Sequence, residues 1–241
     1  MIAPTDRAFT LGDGLFETVL AVDGGLRHLA DHAARMIAGS ATLGLPAPTL
    51  KRLAAAVPDL GPGRQAVRFT WSAGDGGRGL DRPDIVTPVL TVTVAPAPLP
   101  GSVRLVTAHT VRRNEQSPAA NLKTLAYLDN ILARREARAA GGDEAVMLNT
   151  KGELACAAAA NLFWIRDGRI FTPALSCGAL PGLARARLMA TVDVEEVAAG
   201  PEALDAADAV FITNSLVGVR QAACLDGRDY PPHPLAASLS V

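Results

Sequence analysis

Lysine is scarce in this chain: three, at 51, 123 and 151, stand against twenty arginines. A sequence that takes arginine this often keeps lysine where a guanidinium cannot serve. Arginine holds its proton in a protein, whereas a partly desolvated lysine amine can lose it and attack a carbonyl carbon. Lys51 lies beside Arg52 in a helix-like stretch and Lys151 in the turn Asn149-Thr-Lys-Gly152, so both have ordinary explanations. Lys123 lies between Leu122 and Leu125, which suits a pocket wall and equally suits a lysine snorkelling along an apolar surface. Composition alone leaves both readings open.

Cysteine is scarce too. Cys156, Cys177 and Cys224 are odd in number and have no Cys-x-x-Cys spacing, which argues against a disulfide framework and against a structural zinc site; no metal is expected. The net charge is −1, with no basic block, so nucleic acid is an unsuitable partner and a small-molecule substrate is the expectation. No apolar run is long enough to span a bilayer, and the segment Met1-Ile-Ala-Pro-Thr-Asp-Arg7 has no apolar signal region. No membrane association is expected, and the cytoplasm is the simplest compartment.

What is present is a globular composition: 241 residues, 49% hydrophobic and 20% charged. Residues 15–22 read as a strand, with Asp23-Gly24-Gly25 as its hairpin turn. Asp31 is placed to cap a helix reaching about Leu43, closed by Gly44 and Pro46, and a second helix is expected near 49–57. Strands over 66–72 and 85–94 flank the glycine-rich run Ala73-Gly-Asp-Gly-Gly-Arg-Gly79. Ala95-Pro-Ala-Pro-Leu-Pro-Gly101 is the best linker, dividing a small N-terminal α+β domain (1–97) from a larger C-terminal one (98–241). Beyond it the pattern predicts a strand over 103–110, a helix over 122–140, strands over 145–149, 161–165, 169–172 and 211–215, and a helix from Leu183 to about Thr191. Both element types occur in each half, which points to α+β with mixed sheets.

On the expected helix of 122–140, Tyr127 and Asn130 lie four and seven residues beyond Lys123 and share its face, beside an apolar stripe of Leu125, Leu128 and Leu132. His32 and Arg35 share a face of the first helix, where the arginine suits either a phosphate or solvent. Pro181-Gly182 opens a helix, which presents backbone amides and a positive dipole end to an anion, and Thr213 and Ser215 offer hydroxyls at a strand end. A lysine, an arginine and an amide-rich helix start together are what a protein needs to hold pyridoxal 5′-phosphate.

These segments carry a family resemblance. Asp6-Arg-Ala-Phe-Thr-Leu-Gly-Asp-Gly-Leu-Phe-Glu-Thr18, His32-Ala-Ala-Arg35, Gly74-Asp-Gly-Gly-Arg-Gly79, Leu122-Lys-Thr-Leu-Ala-Tyr-Leu128, Ala160-Asn-Leu-Phe163, Leu180-Pro-Gly-Leu-Ala-Arg185 and Phe211-Ile-Thr-Asn-Ser-Leu216 follow one another in the family's order. The chain resembles the class IV pyridoxal-phosphate aminotransferases, among them branched-chain and D-amino-acid aminotransferases and 4-amino-4-deoxychorismate lyase. The resemblance implies a two-domain α+β fold with the cofactor between the domains and a homodimer whose partner loops complete the site. It makes Lys123 the Schiff-base lysine, carried by the C-terminal domain. It makes Arg35 a phosphate ligand, assisted by the backbone of Leu183 and Ala184 and the hydroxyl of Thr213 or Ser215. Leu180 is expected against the cofactor ring and Tyr127 beside it, with Arg78 on a substrate carboxylate.

Three departures qualify that pattern. Counting back from Asn161 puts Cys156 where the family has a glutamate for the pyridine nitrogen, and Glu153 is three residues too early unless a bulge shifts the register. Ala73 replaces the arginine that often opens the glycine-rich run. The short strand that many relatives carry ahead of the Asp-Arg segment has no counterpart here, so either a late start or a missing sheet edge is expected. A neutral thiol compensates no positive charge on the ring, which favours elimination driven by aromatisation over reversible transamination. The expectation is therefore a lyase that releases pyruvate and 4-aminobenzoate. A class IV aminotransferase for D-amino or branched-chain amino acids is the alternative, and a degenerate cofactor-binding protein without turnover stands third.

Overall fold

The protein, described as a computed structural model over residues 3–76 and 79–241, forms two compact units. Unit 1 comprises Met1–Pro98 with Leu122–Ala126, and unit 2 comprises Leu99–Asn121 with Tyr127–Val241.

Unit 1 contains α1 (Arg7–Leu11), β1 (Gly14–Val22), β2 (Gly25–Leu26), α2 (Leu29–Leu43), α3 (Leu50–Ala55), β3 (Arg64–Ser72) and β4 (Val89–Pro96). The strands form one antiparallel sheet in the order β2-β1-β3-β4. Alternation along β1 sends Leu15, Glu17 and Val19 to the face that carries their β3 partners Trp71, Phe69 and Val67. That face and the buried side of α2, Ala33 and Met36, make the core. Each large side chain buried there contributes about 2–3 kcal/mol. The opposite face carries Phe16 and Thr18, paired with Thr70 and Arg68.

Helix α2 begins two residues before the expected cap. His28, in the left-handed region, precedes it, and Asp31 falls inside the first turn, where its charge still favours the helix dipole. Gly44 ends the helix as expected, at φ +65°, a conformation that costs glycine no Cβ clash. Strand β4 runs to Pro96, so the expected linker begins two residues inside a strand.

Unit 2 contains β5 (Val103–Thr107), α4 (Leu128–Ala139), β6 (Glu144–Leu148), β7 (Leu154–Ala157), β8 (Asn161–Arg166), β9 (Arg169–Pro173), α5 (Leu183–Met189), β10 (Val194–Val197), α6 (Glu202–Asp205), β11 (Ala209–Asn214), β12 (Gly218–Leu225), β13 (Arg228–Asp229) and α7 (Pro234–Ser238). Its strands make one mixed sheet in the order β10-β9-β8-β11-β12-β5-β6-β7, with β13 on β12. The β9–β10, β5–β12 and β5–β6 pairs are parallel and the rest antiparallel. The turn after β7, closed by the Ala157 N–H donating to Ala160 C=O at 2.9 Å, leads the outer strand back to β8, so the sheet curls. The mixed α+β architecture is the one expected.

The helix expected over 122–140 is shorter than its pattern. Residues 123–125 are extended and pair with the exposed edge of β1: the Phe16 N–H donates to Lys123 C=O at 2.9 Å, and the Leu125 N–H to Gly14 C=O at 3.0 Å. Helix α4 starts only at Leu128. Its buried positions are Asn130, Ala133 and Ala137, whereas Leu128 is exposed. The apolar stripe of Leu125, Leu128 and Leu132 is therefore not the packing face; alanines serve that role because they let α4 approach β6 closely.

Candidate active site

The β1 pairing fixes where Lys123 lies. It is not on a helix, so Tyr127 and Asn130 do not share a helical face with it; this corrects the expected arrangement. Tyr127 is the residue before α4, its C=O accepting from the Ile131 N–H at 3.0 Å. The Asn130 amide donates to the Ala158 carbonyl at 2.8 Å.

The Lys123 backbone is pinned to β1, and its side chain lies over Phe16, with Nζ 4.1 Å from the ring centre. The Arg68 guanidinium packs on the same ring at 3.7 Å. Such placement over an aromatic face stabilises a cation by about 1 kcal/mol. Desolvation acts more strongly and the other way. It brings the lysine pKa from 10.5 to about 8, with Glu17 pulling upward and Arg35 and Arg68 pushing further down. At pH 7 about a tenth of the amine is then unprotonated, against well under one in a thousand for an ordinary lysine.

Glu17 sits on the core face of β1, 2% exposed, among apolar side chains. Helix α2 supplies its partners. Arg35 Nε donates to Oε1 and Arg35 NH2 to Oε2, each at 2.7 Å, and His32 Nδ1 lies 2.7 Å from Oε2. Burial disfavours the carboxylate, but the Arg35 fork and then His32 outweigh it and hold the Glu17 carboxyl below its usual range. The shared face of His32 and Arg35 is thus realised, and it meets a carboxylate. Glu17 was not singled out from the sequence, because its partners lie 15 and 18 residues away on another element.

Cys156 lies in β7 opposite Met147 of β6, buried and reduced. Burial pushes its thiol pKa up, Arg113 opposing and Glu144 adding to the rise, so it is a neutral group. A register shift does occur beside it, between Met147 and Leu148. It does not bring Glu153 into the cysteine's place: the Glu153 carboxylate accepts from Asn149 Nδ2 at 2.7 Å and faces Cys177 Sγ at 3.7 Å.

In unit 2, Asn161 at the head of β8 organises the entry to α5. Its Nδ2 donates to the Leu180 carbonyl at 2.8 Å, and a Cβ on Gly182 would lie 1.8 Å from its Oδ1, so only glycine fits there. Leu183 and Ala184 open α5, where first-turn amides have no acceptor within the helix. Thr213 in β11 pairs with Asn161, and its buried hydroxyl has no hydrogen-bond partner among the described residues. Ser215 follows in a turn held by Asn214, whose Oδ1 accepts from the Leu216 and Val217 N–H groups at 3.0 and 3.1 Å. An orphaned hydroxyl and open amides are a donor set suited to an anion. Arg78 lies outside the described residues; Ala73, at the start of its loop, is buried.

The model of the class IV amino-transferases matches residues 14–224. The chain belongs to that family. Its members are pyridoxal-phosphate enzymes. The chain is 30% identical over 231 residues to the aminodeoxychorismate lyase of Vibrio harveyi, covering 89% of this chain and 83% of the relative. It is 28% identical over 239 residues to a Methanocaldococcus jannaschii protein provisionally named a branched-chain-amino-acid aminotransferase, covering 92% and 82%. Among solved structures, a Legionella pneumophila protein provisionally named 4-amino-4-deoxychorismate lyase superposes with a TM-score of 0.91 at 30% identity, covering 98% of this chain and 92% of that one. Among the described residues, no helix is long and apolar enough to cross a membrane.

Proposed function

We propose that this class IV enzyme is a pyridoxal-phosphate-dependent 4-amino-4-deoxychorismate lyase, releasing pyruvate and 4-aminobenzoate. The observation that carries the reading is Lys123: one half-buried amine, pinned by backbone pairing and brought to a pKa of about 8. In unit 1, Arg35 is the proposed cation for the cofactor phosphate. In unit 2, the amides of Leu183 and Ala184 and the hydroxyls of Thr213 and Ser215 are its proposed donors, supported by the unpartnered Thr213 hydroxyl. Leu180 and Tyr127 are proposed to line the ring, with Cys156 at its nitrogen. Arg78 is proposed to orient a substrate carboxylate.

When bound, pyridoxal phosphate supplies an aldehyde for amine exchange and a ring that takes up the electron pair of a broken C–H bond. Lys123 supplies the proton chemistry. With the cofactor bound, the Lys123 amine would take the proton from the substrate carbon that bears nitrogen. The enolpyruvyl group departs from the adjacent carbon and leaves, protonated, as pyruvate, and the six-membered ring becomes aromatic. Cys156 supports elimination, since a neutral thiol gives the ring nitrogen no counter-charge and aromatisation reduces the need for one.

Supplying aminodeoxychorismate to cofactor-loaded protein is expected to yield 4-aminobenzoate, and Lys123→Ala to abolish it. A protein that binds the cofactor at Lys123, yet instead converts an amino acid stoichiometrically to its keto acid, would be the aminotransferase that the 28% relative suggests. A second copy of the chain is proposed to complete the assembly, supported by Phe9, Leu80 and Ile85 of unit 1, which are 74%, 83% and 82% exposed. Sedimentation is expected to report a dimer.

A further inference from the structure

We propose that Arg7 is a positioning residue for substrate binding: its buried guanidinium, sharing the Asp13 carboxylate with Arg82, holds the glycine-rich loop in register with the Lys123 segment and so sets how the site receives a substrate carboxylate. The inference rests on the reading that Arg78 of that loop orients such a carboxylate.

Residues 79–81 are exposed, Leu80 at 83%, so apolar burial does not hold this part of the loop. Hydrogen bonds to Arg7 hold it instead. Arg7 Nη2 donates to the Leu80 carbonyl at 2.7 Å, and Nη1 to those of Asp81 and Gly79 at 3.0 and 3.4 Å, so three successive carbonyls meet one guanidinium. Arg7 Nε donates to Asp13 Oδ2 at 2.8 Å. Arg82 closes the other side. Its Nε and Nη2 donate to Asp13 Oδ2 and Oδ1 at 2.9 and 2.6 Å, and its Nη1 donates to the Leu43 carbonyl at the end of α2. The loop also passes close to Arg7 on its way in, since a Cβ on Gly76 would lie 2.2 Å from Arg7 Cδ.

Arg7 is 4% exposed. A cation buried to that degree is costly unless its donors are met, and apolar side chains of similar volume would fill the space at no greater cost. What the charged set adds is direction, because a planar fork fixes the acceptors placed on it and apolar packing does not.

Asp13 joins this clamp to the lysine. Its C=O accepts from the Ala73 N–H at 3.1 Å, at the start of the glycine-rich run, while its carboxylate holds the far end through the two arginines. The residues on either side of it meet the Lys123 segment. Gly14 C=O accepts from the Leu125 N–H at 3.0 Å, and a Cβ on Gly12 would lie 3.4 Å from Ala126 N. The turn between α1 and β1 therefore sets both the loop and the segment that carries the lysine. β1 holds the Lys123 backbone without Arg7, so loss of the clamp is read in substrate binding and not in cofactor attachment.

The test is equilibrium binding of 4-aminobenzoate and of its neutral counterpart, 4-aminobenzamide, to the cofactor-loaded full chain, measured by calorimetry. In Arg7→Gln the carboxylate is expected to bind roughly tenfold or more weakly, while the amide stays within about twofold of wild type. Borohydride reduction is expected to fix the cofactor at Lys123 in both proteins. Equal weakening of both ligands, or loss of cofactor fixation in the variant, means that Arg7 merely supports the fold. Unchanged carboxylate binding means that the clamp sets nothing in the site. Each of these overturns the proposal. Where Arg7→Gln does not fold, Arg82→Gln, at a side chain 26% exposed, is read by the same criteria. Failure of the functional reading is seen in wild type. Cofactor-loaded protein that neither makes 4-aminobenzoate from aminodeoxychorismate nor binds it removes the lyase, and the clamp is then decided with a 2-keto acid and its amide. Wild type that binds neither carboxylate overturns both.

Discussion

At the residue scale, a protein that lowers a lysine pKa accepts a stability cost to do so. The unfolded chain binds the Lys123 proton up to about pH 10.5 and the folded chain only up to about 8. Between these values the unfolded state binds more protons, so this group makes stability rise with pH, and its penalty is fully present below 8. Lys123→Met removes the charge and keeps much of the volume. It is expected to stabilise the cofactor-free protein at pH 7 by on the order of 1 kcal/mol, and to flatten the rise between pH 8 and 10.5. Urea titrations at several pH values would measure both effects; an equal loss of stability at every pH would mean that the lysine contributes packing alone. The scarcity of lysine made Lys123 legible, since composition shows where a chain declines to use its usual cation. Glu17 was not legible. Its partners follow from the α2 face meeting β1, a tertiary fact with no local signature.

At the element scale, the entry to α5 rests on one glycine. A Cβ on Gly182 would overlap Asn161 Oδ1, the side chain that also holds the Leu180 carbonyl. Gly182 has ordinary backbone angles, φ −72° and ψ 139°, so alanine there is penalised by space and not by conformation. Gly182→Ala is expected to cost about 1–3 kcal/mol, and the double variant with Asn161→Ala to recover part of it. A double-mutant cycle by chemical denaturation gives the coupling, and strict additivity would show that the helix entry relaxes without Asn161. Most elements were legible from periodicity and punctuation, α2 with its Gly44 cap above all. The segment 122–127 was not. Its leucines continue the helical pattern of α4 without a break, and what makes it extended is the open edge of β1, a partner more than a hundred residues away. Pattern reports which residues prefer burial; it does not report which neighbour offers the hydrogen bonds.

At the scale of the whole molecule, the chain crosses between its units three times, after Pro98, after Asn121 and after Ala126. The 122–126 segment pairs with β1 while both of its ends continue into unit 2. If unit 2 unfolds, those ends become flexible, and closing the segment onto β1 then costs loop entropy that the native chain does not incur. The two units are therefore expected to unfold together. The two tryptophans report them separately, since Trp71 is buried in unit 1 and Trp164 in β8 of unit 2. In Trp164→Phe the fluorescence follows unit 1 and in Trp71→Phe it follows unit 2, and each is expected to show a urea midpoint equal to that variant's far-ultraviolet circular dichroism midpoint. Pyridoxal phosphate at about a hundred times its dissociation constant is expected to stabilise both reporters alike, by about 2.7 kcal/mol. A fluorescence transition that precedes the dichroism transition in one variant alone would show that its unit opens independently. The Lys123 segment would then be a strap, and its pairing with β1 too weak to transmit the loss of one unit to the other.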